Sequence, residues 1–167
     1  MNTVDTNVIL QAADIQRKIY RMALEVAERN ADCPSLIIAG VEGHGVVVAQ
    51  NVIRALQKIA SFQIHFVTIL IDKQQPLEAS INSSLDFNNQ TIIVVDDVAD
   101  TGRTLMYCVK PFLNYVPKSI QTLVLVERSH KVFPVQTDYV GLSLATTLQE
   151  HIRVQTEGEA ITGAMLF

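Results

Sequence analysis

The segment Val94-Val95-Asp96-Asp97-Val98-Ala99-Asp100-Thr101-Gly102-Arg103-Thr104-Leu105 concentrates residue types that bind charged, hydroxylated ligands. An apolar run delivers two adjacent carboxylates, and a short Asp-Thr-Gly-Arg-Thr turn then opens onto a helical pattern. Gly102 permits a tight, left-handed turn. The amides of Thr101 to Thr104 would then point outward at a helix start, where the backbone dipole favours an anion. The hydroxyls of Thr101 and Thr104 add donors, so a phosphate is the natural guest. Asp96 and Asp97 would repel that phosphate, but an ionised carboxylate is a pure acceptor and suits the hydroxyls of an attached sugar. The pattern therefore reads as a phosphorylated sugar held at both ends. A solvated Asp-Asp turn with Thr101 as a helix cap is the competing reading. The coupling of the carboxylate pair to a phosphate turn favours the ligand.

Such a constellation needs rigid elements behind it. Asp5 or Thr6 is expected to cap a first helix running to about Asn30, with Ile15, Ile19, Met22 and Val26 as its apolar stripe. Leu36 to Ala39 reads as a buried strand. A turn from Gly40 to Gly45 then leads to a helix from about Val46 to Ile59, with Val48, Val52, Ala55, Leu56 and Ile59 as its buried face. Gln63 to Ile71 is rich in β-branched and aromatic residues and predicts a strand. Asp72 to Asn89, with Pro76 and several serines and asparagines, predicts a surface loop or hairpin. Thr91 to Val95 is a strand covered on both faces. A helix to about Tyr115 follows the Gly102 turn, with Leu105, Cys108, Val109 and Phe112 on one side. Ile120 to Val126 and Tyr139 to Leu144 are further strands, and the tail beyond Gln155 carries no clear pattern. Strands alternating with helices predict an α/β fold: one open, mostly parallel, doubly wound sheet in a single domain over residues 1–167. Ligands bind such sheets outside the carboxyl ends of the strands, where Asp96 to Thr104 falls.

Composition narrows the classes. The chain has 167 residues, net charge −4, 49% hydrophobic and 18% charged residues, which excludes wholesale disorder. The mild acidity argues against a surface that is one basic footprint for nucleic acid. No apolar run approaches the roughly 20 residues of a membrane-spanning helix, and no secretory signal is readable. Cys33 and Cys108 are isolated and read as reduced thiols, which predicts a cytoplasmic protein. His65, His130 and His151 lack metal-ligand spacing, so no structural zinc is expected.

The run from Val94 to Leu105 resembles the phosphoribosyl pyrophosphate (PRPP) motif of the type I phosphoribosyltransferases, with all its hallmark positions filled. The resemblance implies that Asp96 and Asp97 hold the ribose hydroxyls and that Asp100, Thr101, Gly102, Arg103 and Thr104 hold the 5′-phosphate. Magnesium would arrive with the pyrophosphate and touch few protein groups. The stretch Leu125 to His130, with Pro134 and Asp138-Tyr139-Val140-Gly141, is similar to the subgroup of pyrimidine attenuation regulators and uracil phosphoribosyltransferases. The glycine-rich turn containing Gly43, His44 and Gly45 is by that resemblance the pyrophosphate loop. Relatives carry Lys-Thr-Arg-Gly where this chain has Glu42-Gly43-His44-Gly45, which weakens the positive charge offered to the leaving group. The segment 72–89 lies where relatives place a flap, and Lys73 is its only cation.

Base recognition is expected on 127–141, with Tyr139 facing the ring or, alternatively, merely covering the sheet end. Glu127 stands where purine enzymes carry a lysine, and Thr146 replaces an acid that they use near pyrophosphate and metal. Asp100 matches the purine enzymes, where it is the proposed base, whereas the pyrimidine regulators carry tyrosine. It serves either as a general base or acceptor toward the nucleobase, or as a plain helix cap. Transfer of phosphoribose from PRPP to a nucleobase is thus the leading expectation, with a pyrimidine such as uracil ahead of a purine. The alternatives are an RNA-binding, nucleotide-sensing regulator and a weakly catalytic PRPP sensor. RNA binding would recruit Arg17, Lys18, Arg21, Arg54, Lys58 and Lys118, which a solvated surface explains more simply. By analogy with its relatives the chain is expected to form a homodimer or homotetramer.

Overall fold

The computed structural model describes residues 7–75, 77–147 and 149–167. Asp5, Thr6 and Pro76 lie outside the described residues. The chain begins with β1 (Asn7–Gln11), so the start of the expected first helix is instead a strand. Helix α1 spans Ala12–Arg29, and its first turn is closed by Asp14, which accepts from the Gln11 amide at 3.2 Å. The stripe Ile15, Ile19, Met22 and Val26 is fully buried.

The main sheet contains β2 (Ser35–Val41), β3 (Gln63–Ile71), β4 (Ala79–Ile81), β5 (Thr91–Ala99), β6 (Ser119–Arg128) and β7 (Tyr139–Leu144). Its spatial order is β4-β3-β2-β5-β6-β7. All pairs are parallel except β3 with β4, which form the hairpin allowed for in the polar segment. Helix α2 (His44–Ile59) starts directly after a Glu42-Gly43 turn, two residues earlier than expected. Helix α1 and α2 cover one face, sealing a core of Val48, Val52, Leu56, Ile38, Ile93, Leu123 and Leu125. The other face carries α3 (Arg103–Val109), which tightens into a 3-10 segment over Lys110–Asn114. Pro111 has no amide to donate to an α-helical ladder there, so the expected single helix to Tyr115 does not form. Leu105, Cys108 and Phe112 pack from these turns onto Ile37, Ile92, Val94 and Val124.

The unassigned tail supplies β8 (Ile152–Glu157) and β9 (Ala160–Leu166), which join β1 in a separate antiparallel sheet of order β1-β9-β8. Leu10, Val154, Ile161 and Ala164 turn inward onto the α1–α2 core. The β8–β9 turn is tied to α2, where Asn51 Nδ2 donates to the Glu159 carbonyl at 2.9 Å. Among the described residues no helix is long and apolar enough to cross a membrane.

Candidate active site

The parallel topology brings the ends of β2, β3, β5 and β6 together, and Asp96, Asp97, Lys73 and His44 meet there. Asp96 is buried at 1% exposure. Its Oδ1 accepts from the Asp97 amide at 2.9 Å and from Lys73 Nζ at 2.9 Å. Lys73 also reaches Asp97 Oδ1 at 3.5 Å, and His44 Nδ1 lies 3.4 Å from Asp97 Oδ2. Gly45 in the first turn of α2 gives Asp96 its room, since a Cβ there would stand 3.0 Å from Asp96 Oδ1. The second oxygen, Oδ2, is buried with no hydrogen-bond partner among the described residues. Burial first, and then the charge of Asp97, push the Asp96 carboxyl up to about 7 against the pull of Lys73. Burial works against the Lys73 ammonium as well, but the two carboxylates outweigh it and hold Lys73 above its ordinary value. A buried acceptor left open at a strand end is costly unless something arrives to use it.

Beyond Ala99 the chain wraps around a cavity of about 60 Å³ lined by Val98, Ala99, Asp100, Thr101, Gly102, Arg103, Thr104 and Leu105. Gly102 takes the left-handed conformation at φ 83° and caps α3. The Thr101 hydroxyl accepts from the Arg103 amide at 3.2 Å, and the Thr101 carbonyl accepts from the amides of Val132 and Phe133, each at 3.0 Å. The strand-to-helix turn is thus braced from behind by the segment 129–137. All five residues Asp100 to Thr104 line one concave surface, and Asp96 and Asp97 stand on the strand just before it.

One expectation for 127–141 changes. Tyr139 does not join the cluster. It lies at the start of β7, in register with Leu123, and is 2% exposed. Its hydroxyl donates to Gln121 Oε1 at 2.7 Å and accepts from Asn30 Nδ2 at 3.2 Å, while Arg29 stacks over its ring. The phenol is a core residue under α1 with no face toward a ligand. Tyr139→Phe is accordingly expected to leave nucleobase kinetics unchanged and to cost about 1–3 kcal/mol in urea denaturation, the worth of two buried hydrogen bonds. Glu127, at the end of β6, pairs with Lys131 at 2.6 Å and accepts from the Thr137 hydroxyl. Burial raises its carboxyl, but the bonds from Lys131 and Thr137 outweigh that and leave it below its ordinary value. It pins the segment that braces the phosphate turn.

Two residues of the site carry no local signal in the sequence. Lys73 is visible as a lone loop cation, but its pairing with Asp96 and Asp97 spans more than twenty positions. Arg128 reaches back to Asp100 Oδ1 at 2.7 Å and also bonds the Thr146 hydroxyl and the Thr147 carbonyl. The positive charge missing at Glu42, an exposed residue whose amide bonds the Ile69 carbonyl, is met in space by Lys73.

The sequence family described as the phosphoribosyl transferase domain matches residues 5–157. The chain belongs to this family. Among its relatives, the Bifunctional protein PyrR of Bacillus pumilus is 32% identical over 160 residues, covering 89% of each chain. The Pyrimidine operon regulatory protein of Lactococcus lactis is 31% identical over 152 residues, covering 88% of each. The crystal structure of the hypoxanthine phosphoribosyltransferase of Trypanosoma cruzi superposes with a TM-score of 0.74 over 83% of this chain and 81% of that one. At 18% identity it shows the phosphoribosyltransferase fold alone.

Proposed function

We propose that this phosphoribosyltransferase-family protein transfers the phosphoribosyl group of PRPP to a ring nitrogen of a nucleobase, uracil ahead of a purine, and releases pyrophosphate. One observation carries the reading: the open, buried carboxylate of Asp96 and its neighbour Asp97 stand immediately before the cradle of Asp100 to Thr104. Sugar hydroxyls donate to the carboxylates, and the 5′-phosphate enters the cradle. The bond from the anomeric carbon to pyrophosphate oxygen breaks, and the bond from that carbon to the base nitrogen forms. The protein contributes alignment and charge placement rather than covalent chemistry. Lys73 must leave the carboxylate pair when ribose arrives, and pyrophosphate is then the nearest anion for it.

Among the described residues no three His, Cys, Asp or Glu side chains cluster as a metal cage. The donor set suits a magnesium ion carried in by the diphosphate, with Asp96 and Asp97 as the nearest carboxylates. Bound there, the ion would neutralise charge on the departing pyrophosphate. The function extends over one domain, residues 1–167, in a cytoplasmic homodimer or homotetramer.

Relatives named as regulators favour a second reading, an RNA-binding regulator, for which Arg17, Lys18 and Arg21 line one shallow groove with Asp14. Arg17 is ion-paired with Asp14 and Arg21 with Glu25 at 2.5 Å, and Arg21 is further tied to the Val140 carbonyl at 2.8 Å. Cations so engaged have less to offer a phosphate backbone, which puts the enzyme first. The test is a panel of uracil, orotate, hypoxanthine, guanine and xanthine with magnesium and PRPP, beside calorimetry of PRPP alone. Uridine 5′-monophosphate is the expected product. No turnover with any base and no PRPP binding would overturn the reading, and steeply salt-dependent RNA binding by such an inert protein would install the regulator.

A further inference from the structure

Arg128 is the last residue of β6 and only 14% of its side chain is exposed. Four of its five N–H donors are engaged. Nη1 donates to Asp100 Oδ1 at 2.7 Å, Nε to the Thr146 hydroxyl, and Nη2 to the carbonyls of Thr147 and, at 2.9 Å, Glu150. The Glu150 carboxylate in turn accepts from the Thr147 amide at 2.6 Å, and the Ser129 amide bonds the Leu144 carbonyl at 2.9 Å. One guanidinium therefore joins the exit of β5, the end of β6 and the β7–β8 connection. Among its described residues the connection is otherwise held by the Thr147–Glu150 turn and, at its far end, by the backbone pair of His151 with Phe167 at 2.8 and 3.1 Å, and its described side chains are half-buried or exposed.

The bonding pattern also fixes what Asp100 can do. Oδ1 is committed to Arg128, and among the described residues nothing bonds Oδ2, while about half of the side chain faces solvent. An acceptor oxygen with a set direction remains at the edge of the phosphate cradle.

We propose that Arg128 is the positioning residue for the nucleobase: it ties Asp100 to Thr146, Thr147 and Glu150 and so presents Asp100 Oδ2 to a ring N–H of the acceptor. The proposal rests on the phosphoribosyltransferase reading above and adds to it the residue that sets the base-facing geometry. A heterocycle that offers an N–H toward Oδ2 is accepted, and one that offers only a lone pair there is refused. Lysine cannot replace arginine fully, because a single ammonium lacks the planar fork needed to hold Asp100 and two carbonyls together.

The test compares wild type, Arg128→Gln, Arg128→Lys, Asp100→Asn and the double variant Arg128→Gln/Asp100→Asn. In Arg128→Gln, KM for the base is expected to rise about 10- to 100-fold, the effect of losing a charge-assisted hydrogen bond. The Kd for PRPP from calorimetry should stay within about twofold, and amide exchange should accelerate in 145–151. Arg128→Lys should recover part of the base KM. The double variant should be no worse than the poorer single one, since both remove the same interaction. An active wild type whose Arg128→Gln variant keeps its base KM, or loses base and PRPP affinity equally, overturns the role of Arg128 alone. A wild type that neither binds PRPP nor turns over a base overturns the phosphoribosyltransferase reading and this role together.

Discussion

Replacing Asp96 and Asp97 together by asparagine is expected to lower kcat/KM for PRPP by at least about 100-fold, because two charged acceptors for ribose hydroxyls become neutral amides. The single variant Asp96→Asn should at the same time make the folded protein more stable. Folding raises the Asp96 carboxyl from 3.8 to about 7, chiefly by burial. The native state then holds this proton more tightly than the unfolded chain does. The associated stability is fully present below about pH 4 and is lost as pH rises through 7, the reverse of an ordinary ion-paired carboxylate. Wild type minus Asp96→Asn should therefore decline by a few kcal/mol, in order of magnitude, between about pH 4 and pH 8. Urea denaturation of both proteins at pH 5 and pH 8 measures that difference. A variant that is less stable than wild type at pH 8, with unchanged PRPP kinetics, would reduce Asp96 to a structural anchor. Lys73 loses one of its two partners in the variant, but it is partly exposed and can be solvated.

That a buried carboxylate stands at a strand end against its own stability is the strongest sign of function in the chain, and it was half legible. The adjacent aspartates after an apolar run predicted the site, and the alternation of strands and helices predicted the parallel sheet. Neither pattern shows which carboxylate is swallowed: Asp96 is buried because Gly45 lets α2 close over it, fifty positions away. The partners of Lys73 and Arg128 are hidden for the same reason, since they are set by where β3, two strands from β5, and β6, next to it, come to an end. Strand β1 was taken into the first helix because its partner, β9, lies at the far end of the chain. A five-residue segment with no neighbouring strand gives no periodicity of its own. Of the two readings of Tyr139, the one that faces the base fails on position along the strand, and the covering role stands. A residue that opens a parallel strand sits away from the carboxyl end where ligands bind, and its hydroxyl was already bound to Gln121 and Asn30.

Gly102→Ala should cost more than any other small change at the site, and two separate terms explain why. At φ 83° an alanine pays roughly 1–2 kcal/mol for the left-handed backbone alone. Its Cβ would also stand 2.6 Å from Val135 Cγ1 in the segment that braces the turn, an overlap that adds about 1–3 kcal/mol. Because Val135 cannot yield without moving Phe133 and its bond to the Thr101 carbonyl, the strain in Gly102→Ala falls on the phosphate cradle. KM for PRPP should rise together with the loss of stability. Adding Val135→Ala separates the two terms. The Gly102→Ala/Val135→Ala protein should recover the overlap part of both stability and PRPP affinity, relative to the sum of the single variants. Strict additivity in that cycle would mean that the turn is not braced by Val135, and the cradle would then owe its shape to Gly102 and Thr101 alone.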